Sequence, residues 1–409
     1  MEEPTATESP EQAAYRAEVR AWLTANATPR KEVSPWALNF HTTYEDARRE
    51  FEKGRAWQKT CHDAGYAGFT YPVEYGGQGK PAWAEAIFKD EVANFDVSSG
   101  FISSTIAMLG PTLAKHGTEE QKRTLLPRLL SGEDAYCQLF SEPGAGSDLA
   151  GLGCKAVLDG DEFVVTGQKV WNSAAQFCSR GMLLVRTNPD APKHKGITFL
   201  LVDMDSPGIE VRPLVQPNGA SHFNEVFLEE VRVPAANVLG AVNEGWGPAR
   251  TVLSNESAFI GGAGTSISTF QKLVMLAQQH GVTGDPVVRQ ELMVTLTREK
   301  LLAWMGERIM TAVRRREVPP VDPSILKLFV AGNKVQSGNL AMAMSGAAGM
   351  AGDAEQTLWA QNELITRYGI SIGGGTNEVQ RNNLAERALG LPREPGFDPN
   401  QSWKDIPRN

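Results

Sequence analysis

The hydrophobic period of the 409-residue chain changes twice, and each change forces a different layer of structure. From about residue 11 the spacing is helical: Tyr15, Val19, Trp22 and Leu23 stand at i, i+4, i+7 and i+8. Ala84, Ile87, Phe88, Glu91, Val92 and Phe95 repeat a three-and-four spacing, and Thr118 with Gln121 forms a capping box opening a helix that Pro127 kinks or ends. Between two of these helices a loop at 71–79 is predicted from its proline and glycines. From about 135 to 240 the period is two. Ala156, Val157 and Leu158, a turn at Asp159-Gly160, and 163–166 predict a hairpin, and 182–186, 197–202, 209–211 and 226–233 predict further short strands. Helical runs return at 248–276, 287–313, 323–345, 356–368 and 376–388, with Leu292, Leu296, Leu302 and Met305 on one stripe. The expected layout is a disordered tail at 1–10, an N-terminal helical domain at 11–134, a β domain at 135–241, a C-terminal helical bundle at 242–395 and a tail at 396–409. The chain is thus mainly α with a central β domain.

Composition narrows the partners. A net charge of -8 with no long basic stripe argues against a nucleic-acid or anionic-membrane surface, so an anionic ligand must be held locally. No apolar run approaches the ~18 residues of a membrane span, and the acidic start is unlike a transit or signal peptide. Cys61, Cys137, Cys154 and Cys178 have no metal spacing, and a chain of this size does not need disulfides, which points to a reducing cytoplasm.

Four segments carry chemistry. Residues 138–151, QLFSEPGAGSDLAG, form a polar loop whose glycines let a flat or phosphorylated ligand approach the main chain. Trp171 is followed by Asn172 and Ser173, a broad ring beside amide and hydroxyl donors, which suits a core residue or a planar redox cofactor. Glu256 sits one turn after Val252 and Leu253 and one turn before Phe259 and Ile260, so a helix puts its carboxylate on the apolar stripe. Such an acid either pairs with a group such as Arg250 or, desolvated, becomes a strong proton acceptor. Gly373, Gly374 and Gly375 stand before Thr376 and Asn377, either of which can cap a helix whose free N–H groups suit phosphate or an oxyanion.

These segments, with the Tyr-Gly-Gly-Gln-Gly run at 75–79, the run at 116–122, Gly167-Gln168-Lys169-x-Trp171, the run at 223–227 and Gly375-Thr376-x-Glu378-x-Gln380-Arg381, resemble the acyl-CoA dehydrogenase family in family order from about residue 11 to 393. That family has a helical bundle, a β domain and a four-helix bundle. The resemblance implies FAD-dependent α,β-dehydrogenation of an acyl-CoA thioester to the trans-2-enoyl-CoA, with electrons passing to an electron-transferring flavoprotein. It implies that Gln138, Leu139, Phe140, Ser141, Gly146, Ser147, Trp171, Asn172, Ser173, Thr376 and Glu378 hold FAD. Ser147, Ser254, Ser257, Gly374 and Gly375 are the implied substrate contacts.

Most of the family carries its catalytic glutamate at the position of Gly374. A minority supplies it from the first long helix of the C-terminal bundle, where Glu256 falls, so the resemblance implies Glu256 as base. Ser257 stands where that minority often has arginine. The segments that complete a neighbour's FAD site in homotetramers are not matched at 278–284 or 342–349, which leaves a homotetramer or a mixed tetramer with a related subunit. The alternatives are a flavin oxidase of the same superfamily and a non-catalytic partner subunit. The missing bulk at Gly374 and the glycines 261 and 262 are compatible with a branched or ring-bearing acyl group.

Overall fold

The computed structural model describes residues 8–30, 34–38, 40, 43–98, 100–262, 268–315, 317, 322–392, 396, 398 and 400–407. Of the expected N-terminal tail, residues 1–7 lie outside the described residues, and Ser9 caps the first helix. The chain runs through α1 (Pro10–Asn26), β1 (Thr28–Pro29), α2 (Tyr44–Asp63), α3 (Ala82–Val92), β2 (Phe95–Asp96), α4 (Gly100–His116) and α5 (Glu119–Leu130). Val19 and Leu23 are fully buried, as their spacing predicts, and Phe95 of the expected α3 stripe falls instead in β2, which pairs with β1. The Thr118 capping box forms, and α5 continues through Pro127 to Leu130. A proline that late in a helix sacrifices only one of the last backbone bonds.

The middle of the chain makes β3 (Tyr136–Leu139), β4 (Lys155–Asp159), β5 (Glu162–Val170), β6 (Arg180–Arg186), β7 (Ile197–Asp203), β8 (Ile209–Leu214) and β9 (Phe223–Pro234). They form one sheet in the order β3-β6-β4-β5-β9-β8, with β7 also paired to β6. The predicted hairpin is β4–β5, with Asp159 opposite Glu162, so the turn is Gly160-Asp161 rather than Asp159-Gly160. Gly160 has φ +66°, the left-handed conformation that glycine adopts without strain. β3 overlaps the start of the 138–151 segment, where the family resemblance implies a strand through Gln138, Leu139 and Phe140, and it ends at Leu139.

One irregularity in this sheet has a chemical consequence. Between Val165 and Gly167 of β5 the partner strand advances from Val231 to Leu228, so β9 carries an extra residue. Glu230, with φ +50°, stands in that bulge. Inward positions on β9 are therefore Asn224, Val226 and Leu228 on one side of it and Val231 and Val233 on the other. β5 keeps its parity, and Lys169 points inward with Phe163 and Val165; its side chain is fully buried. Its Nζ donates to Glu142 Oε1 at 2.7 Å and to the Phe140 carbonyl at 3.1 Å. The same carboxylate accepts the Gly153 N–H at 2.7 Å and the Cys154 N–H at 2.9 Å.

The C-terminal part comprises α6 (Trp246–Gly262), α7 (Thr269–Gln279), α8 (Pro286–Arg315), α9 (Pro323–Ala351), α10 (Glu355–Thr366), α11 (Gly369–Ile372) and α12 (Asn377–Asn383). The single run expected over 248–276 is thus two helices, α6 and α7. Within α9 Gly346 adopts φ +53° and ψ −137°, a kink open only to glycine. α7 to α10 share an apolar core that includes Leu276, Leu292, Leu340 and Trp359, while α6 packs instead on α4 and β7. Past α12 the chain returns to the β domain: Trp403 is buried, donates Nε1–H to the Gly151 carbonyl at 3.2 Å and lies 4.7 Å from the Arg186 guanidinium. No helix among the described residues is long and apolar enough to cross a membrane.

Lys169→Met leaves Glu142 buried without its cation and is expected to cost about 3–5 kcal/mol of stability by urea denaturation. Adding Glu142→Leu recovers only part, because the Gly153 and Cys154 N–H groups then lose their acceptor.

Candidate active site

β3, the loop after it, the end of β5 and the second half of α6 converge on one place. Gln138 lies near the end of β3, half-buried, while the side chains of Leu139 and Phe140 go into the core. Only the backbone of those two residues is therefore free to serve a ligand. The loop that follows is anchored by Ala145, Leu149 and Ala150, all buried, and leaves Gly144, Gly146 and Ser147 exposed at its tip. Open space surrounds the Cα of Gly144 and Gly146. Asp148 pairs with Lys193 at 2.5 Å. Ser141 is half-buried and its carbonyl accepts the Val170 N–H at 2.9 Å, which ties the loop to the end of β5.

The three residues after β5 are held in an unusual turn. Trp171 has φ +63° and Ala174 has φ +53°, each costing about 1–3 kcal/mol for a residue with a side chain. Hydrogen bonds to β9 and the turn before it hold them: Asn172 N–H donates to the Asn224 carbonyl at 3.1 Å and Ala174 N–H to the His222 carbonyl at 2.8 Å. Asn224 Nδ2 donates back to the Asn172 carbonyl at 2.8 Å, and Asn172 Nδ2 donates to the Gln138 carbonyl at 2.7 Å. The Asn172 Oδ1 atom is buried without a hydrogen-bond partner. Ser173 is half-buried. Trp171 meets Phe223 in a T-shaped contact at 5.8 Å and is 59% exposed, so much of its ring is open.

Glu256 follows Ala249 and Val252 on the inward stripe of α6, both fully buried. Its carboxylate does not pair with Arg250, whose side chain is exposed; Oε2 lies 3.5 Å from Gln138 Nε2. Burial pushes the Glu256 carboxyl above its ordinary range, and the Gln138 amide offsets part of that rise. Ser254, on the opposite face of α6, is exposed. The side chain of Ser257 lies outside the described residues.

The fourth segment is a glycine turn. Gly374 and Gly375 have φ +67° and +85°, and Gln380 Nε2 donates to the Gly374 carbonyl at 3.1 Å. A carboxylate-bearing residue at 374 would sit in the left-handed region at a cost of about 1–2 kcal/mol. Thr376 is the cap of α12, its hydroxyl accepting the Val379 N–H at 3.2 Å. Glu378 is exposed and pairs with Arg381. This turn packs on α9, where Lys327 Nζ is 3.3 Å from Asn377 Oδ1. The structure thus joins Gln138, Asn172 and Glu256 directly, with Ser141, Trp171 and Ser173 adjoining them along the chain, and holds Thr376 and Glu378 on a separate support.

Three family models match along the chain: the acyl-CoA dehydrogenase N-terminal domain at residues 9–133, the middle domain at 137–231 and the C-terminal domain at 243–389. The chain belongs to the acyl-CoA dehydrogenase family. It is 38% identical over 389 residues to the acyl-CoA dehydrogenase IpdE1 of Mycobacterium tuberculosis, covering 93% of this chain and 98% of that one. Among solved structures it is similar to the Tcur3481–Tcur3483 steroid ACAD, with a TM-score of 0.73, 30% identity and coverage of 95% and 99%. The ChsE4–ChsE5 complex of Mycobacterium tuberculosis matches with a TM-score of 0.71, 30% identity and coverage of 95% and 100%. The acyl-CoA dehydrogenase fold and enzyme class expected from the sequence are therefore borne out.

Asn224, Lys169 and Glu142 were not singled out from the sequence as site residues. Strand parity carried the signal for the first two: Asn224 alternates with Val226 and Leu228, and Lys169 with Phe163 and Val165.

The raised Glu256 carboxyl has a stability consequence. The folded state holds this proton to higher pH than the unfolded chain does, so its contribution is full below the ordinary carboxylate range and is lost as pH rises through the folded value. Glu256→Gln is expected to unfold at a higher temperature than the parent at pH 7.5, with the advantage shrinking toward pH 4.

Proposed function

We propose that this acyl-CoA dehydrogenase binds FAD along β3, the 141–151 loop and the 171–173 turn, and that Glu256 takes the α-proton of the acyl-CoA. The observation that carries the base assignment is the half-buried Glu256 carboxyl beside the end of β3, raised by desolvation, together with a glycine at 374. Desolvation makes the carboxylate a stronger proton acceptor, as removal of a proton next to a thioester carbonyl requires. The exposed ring of Trp171, the unpartnered Asn172 Oδ1 and the uncrowded Gly144 and Gly146 support a flat, polar cofactor there. Residues of β3, the 141–151 loop and the 171–173 turn would hold FAD, which would supply a two-electron acceptor for the β-hydride, with an electron-transferring flavoprotein as the onward acceptor. Loss of the α-proton to Glu256 and of the β-hydride leaves the trans-2-enoyl-CoA. Ser147 lines the approach of the thioester, whereas Ser254 faces away from Glu256 and takes no part; the Gly374 and Gly375 backbone polarises the carbonyl, and Thr376 and Glu378 serve the ribityl and phosphate end of FAD.

Ring-bearing acyl-CoAs are the substrates we favour, because Gly374 carries no side chain where most of the family has one and this chain is 30% identical to a steroid ACAD. A tetramer with a related subunit is the assembly we favour. Its support is the absence of the neighbour-completing segments at 278–284 and 342–349 and the two-component title of the ChsE4–ChsE5 complex. The test is the visible spectrum of the protein purified alone, before and after anaerobic addition of short, branched and steroid-like acyl-CoAs. A yellow protein bleached most by the ring-bearing thioester is expected. Bleaching by straight chains alone would overturn the substrate class, and a colourless protein that turns yellow only when co-expressed with a related chain would make the partner part of the FAD site.

A further inference from the structure

Gln138 is the residue through which the β domain reaches Glu256, and its own position is fixed from three sides. As part of β3 it pairs in parallel with Met182 of β6. Its carbonyl accepts Asn172 Nδ2 at 2.7 Å, and Asn172 is locked to Asn224 by two further hydrogen bonds of 3.1 and 2.8 Å. Asn172 and Asn224 are both buried, so this chain of amides is shielded from water.

Among the described residues, that amide is the one polar group acting on Glu256. α6 packs on α4, which brings Lys115 and His116, and on β7, which brings Asp203; α6 itself carries Arg250, and β3 carries the buried Tyr136 and Cys137. His116 is engaged with Thr251 at 2.9 Å. Burial and the Gln138 amide act on the Glu256 carboxyl, and among the described residues no ion does.

Resting on the assignment of Glu256 as base, we propose that Gln138 is its positioning residue: its side-chain amide, carried on a backbone that the Asn172–Asn224 pair holds in place, orients the carboxylate toward the α-carbon. The chemistry of an amide suits this task. A lysine or arginine at 138 would hold the carboxylate as an ion and weaken it as a base, and an aliphatic side chain would leave it free to turn. A neutral donor fixes its direction while leaving it basic.

The experiment compares parent, Gln138→Leu and Gln138→Met holoenzymes by ¹³C NMR with glutamate labelled at the side-chain carboxyl, the Glu256 signal being assigned by its loss in Glu256→Gln. In both Gln138 variants the Glu256 carboxyl is expected to titrate at higher pH than in the parent, the acid limb of kcat/KM to move the same way, and kcat to fall by about tenfold with KM little changed. Circular dichroism checks that each variant is folded, and Gln138→Asn provides a milder second probe that keeps an amide on a shorter stem. An unmoved Glu256 titration in folded Gln138→Leu and Gln138→Met, alongside a loss of turnover in Glu256→Gln, would overturn the role of Gln138 alone. Parental turnover in Glu256→Gln would overturn the base assignment and with it any positioning role.

Discussion

The ion pair between Lys169 and Glu142 joins the two segments on which the site is built, and neither segment could hold its shape without the other. Lys169 sits at the inward end of β5, two residues before Trp171, and Glu142 opens the loop that carries Gly144, Gly146 and Ser147. A buried ammonium and carboxylate are costly unless their remaining hydrogen-bonding capacity is filled. Here it is filled: the Phe140 carbonyl takes a second proton of Lys169, and the Gly153 and Cys154 N–H groups fill the carboxylate. The pair therefore fixes both ends of the loop, and the Arg186–Trp403 stack pins it again at Gly151. Exposed glycines and hydroxyls can stand in a defined place because the chain on either side of them is this strongly tied.

The same logic of burial governs Glu256. A carboxylate on the apolar stripe of a helix weakens the fold at neutral pH, and the structure tolerates it with a single neutral donor rather than a cation. That choice sacrifices stability for basicity. The glycine turn at 373–375 makes the complementary choice, giving up a side chain at 374 for a left-handed backbone. An acid on α6 and a glycine at 374 are two sides of one arrangement under the proposed assignment of Glu256 as base.

Much of this was legible in the sequence, for reasons that differ by element. The switch from a period near 3.6 to a period of two and back marked the helical and β parts, because burial on one face imposes the period directly. Glu256 stood out because an acid on an apolar stripe is rare without a cause. What the sequence hid depends on long-range register. The split of 248–276 into α6 and α7 is an exception, marked in the sequence by the glycines 261, 262 and 264 and by the Ser268–Gln271 capping box. The contact between Gln138 and Glu256 joins residues 118 positions apart, and the docking of Trp403 on the β domain spans 252. The motif that marks Leu139 and Phe140 as cofactor contacts does not reveal that both side chains go into the core, which leaves their backbone for that role.

The central claim is that Glu256 removes the α-proton, and single-turnover reduction of the bound flavin tests it most directly. Glu256→Gln holoenzyme is mixed anaerobically with an acyl-CoA that bleaches the parent, and the loss of visible absorbance is followed in time. The account predicts a protein that keeps its yellow colour before mixing and bleaches about 10²–10⁴-fold more slowly than the parent. Bleaching of Glu256→Gln at the parental rate would contradict it.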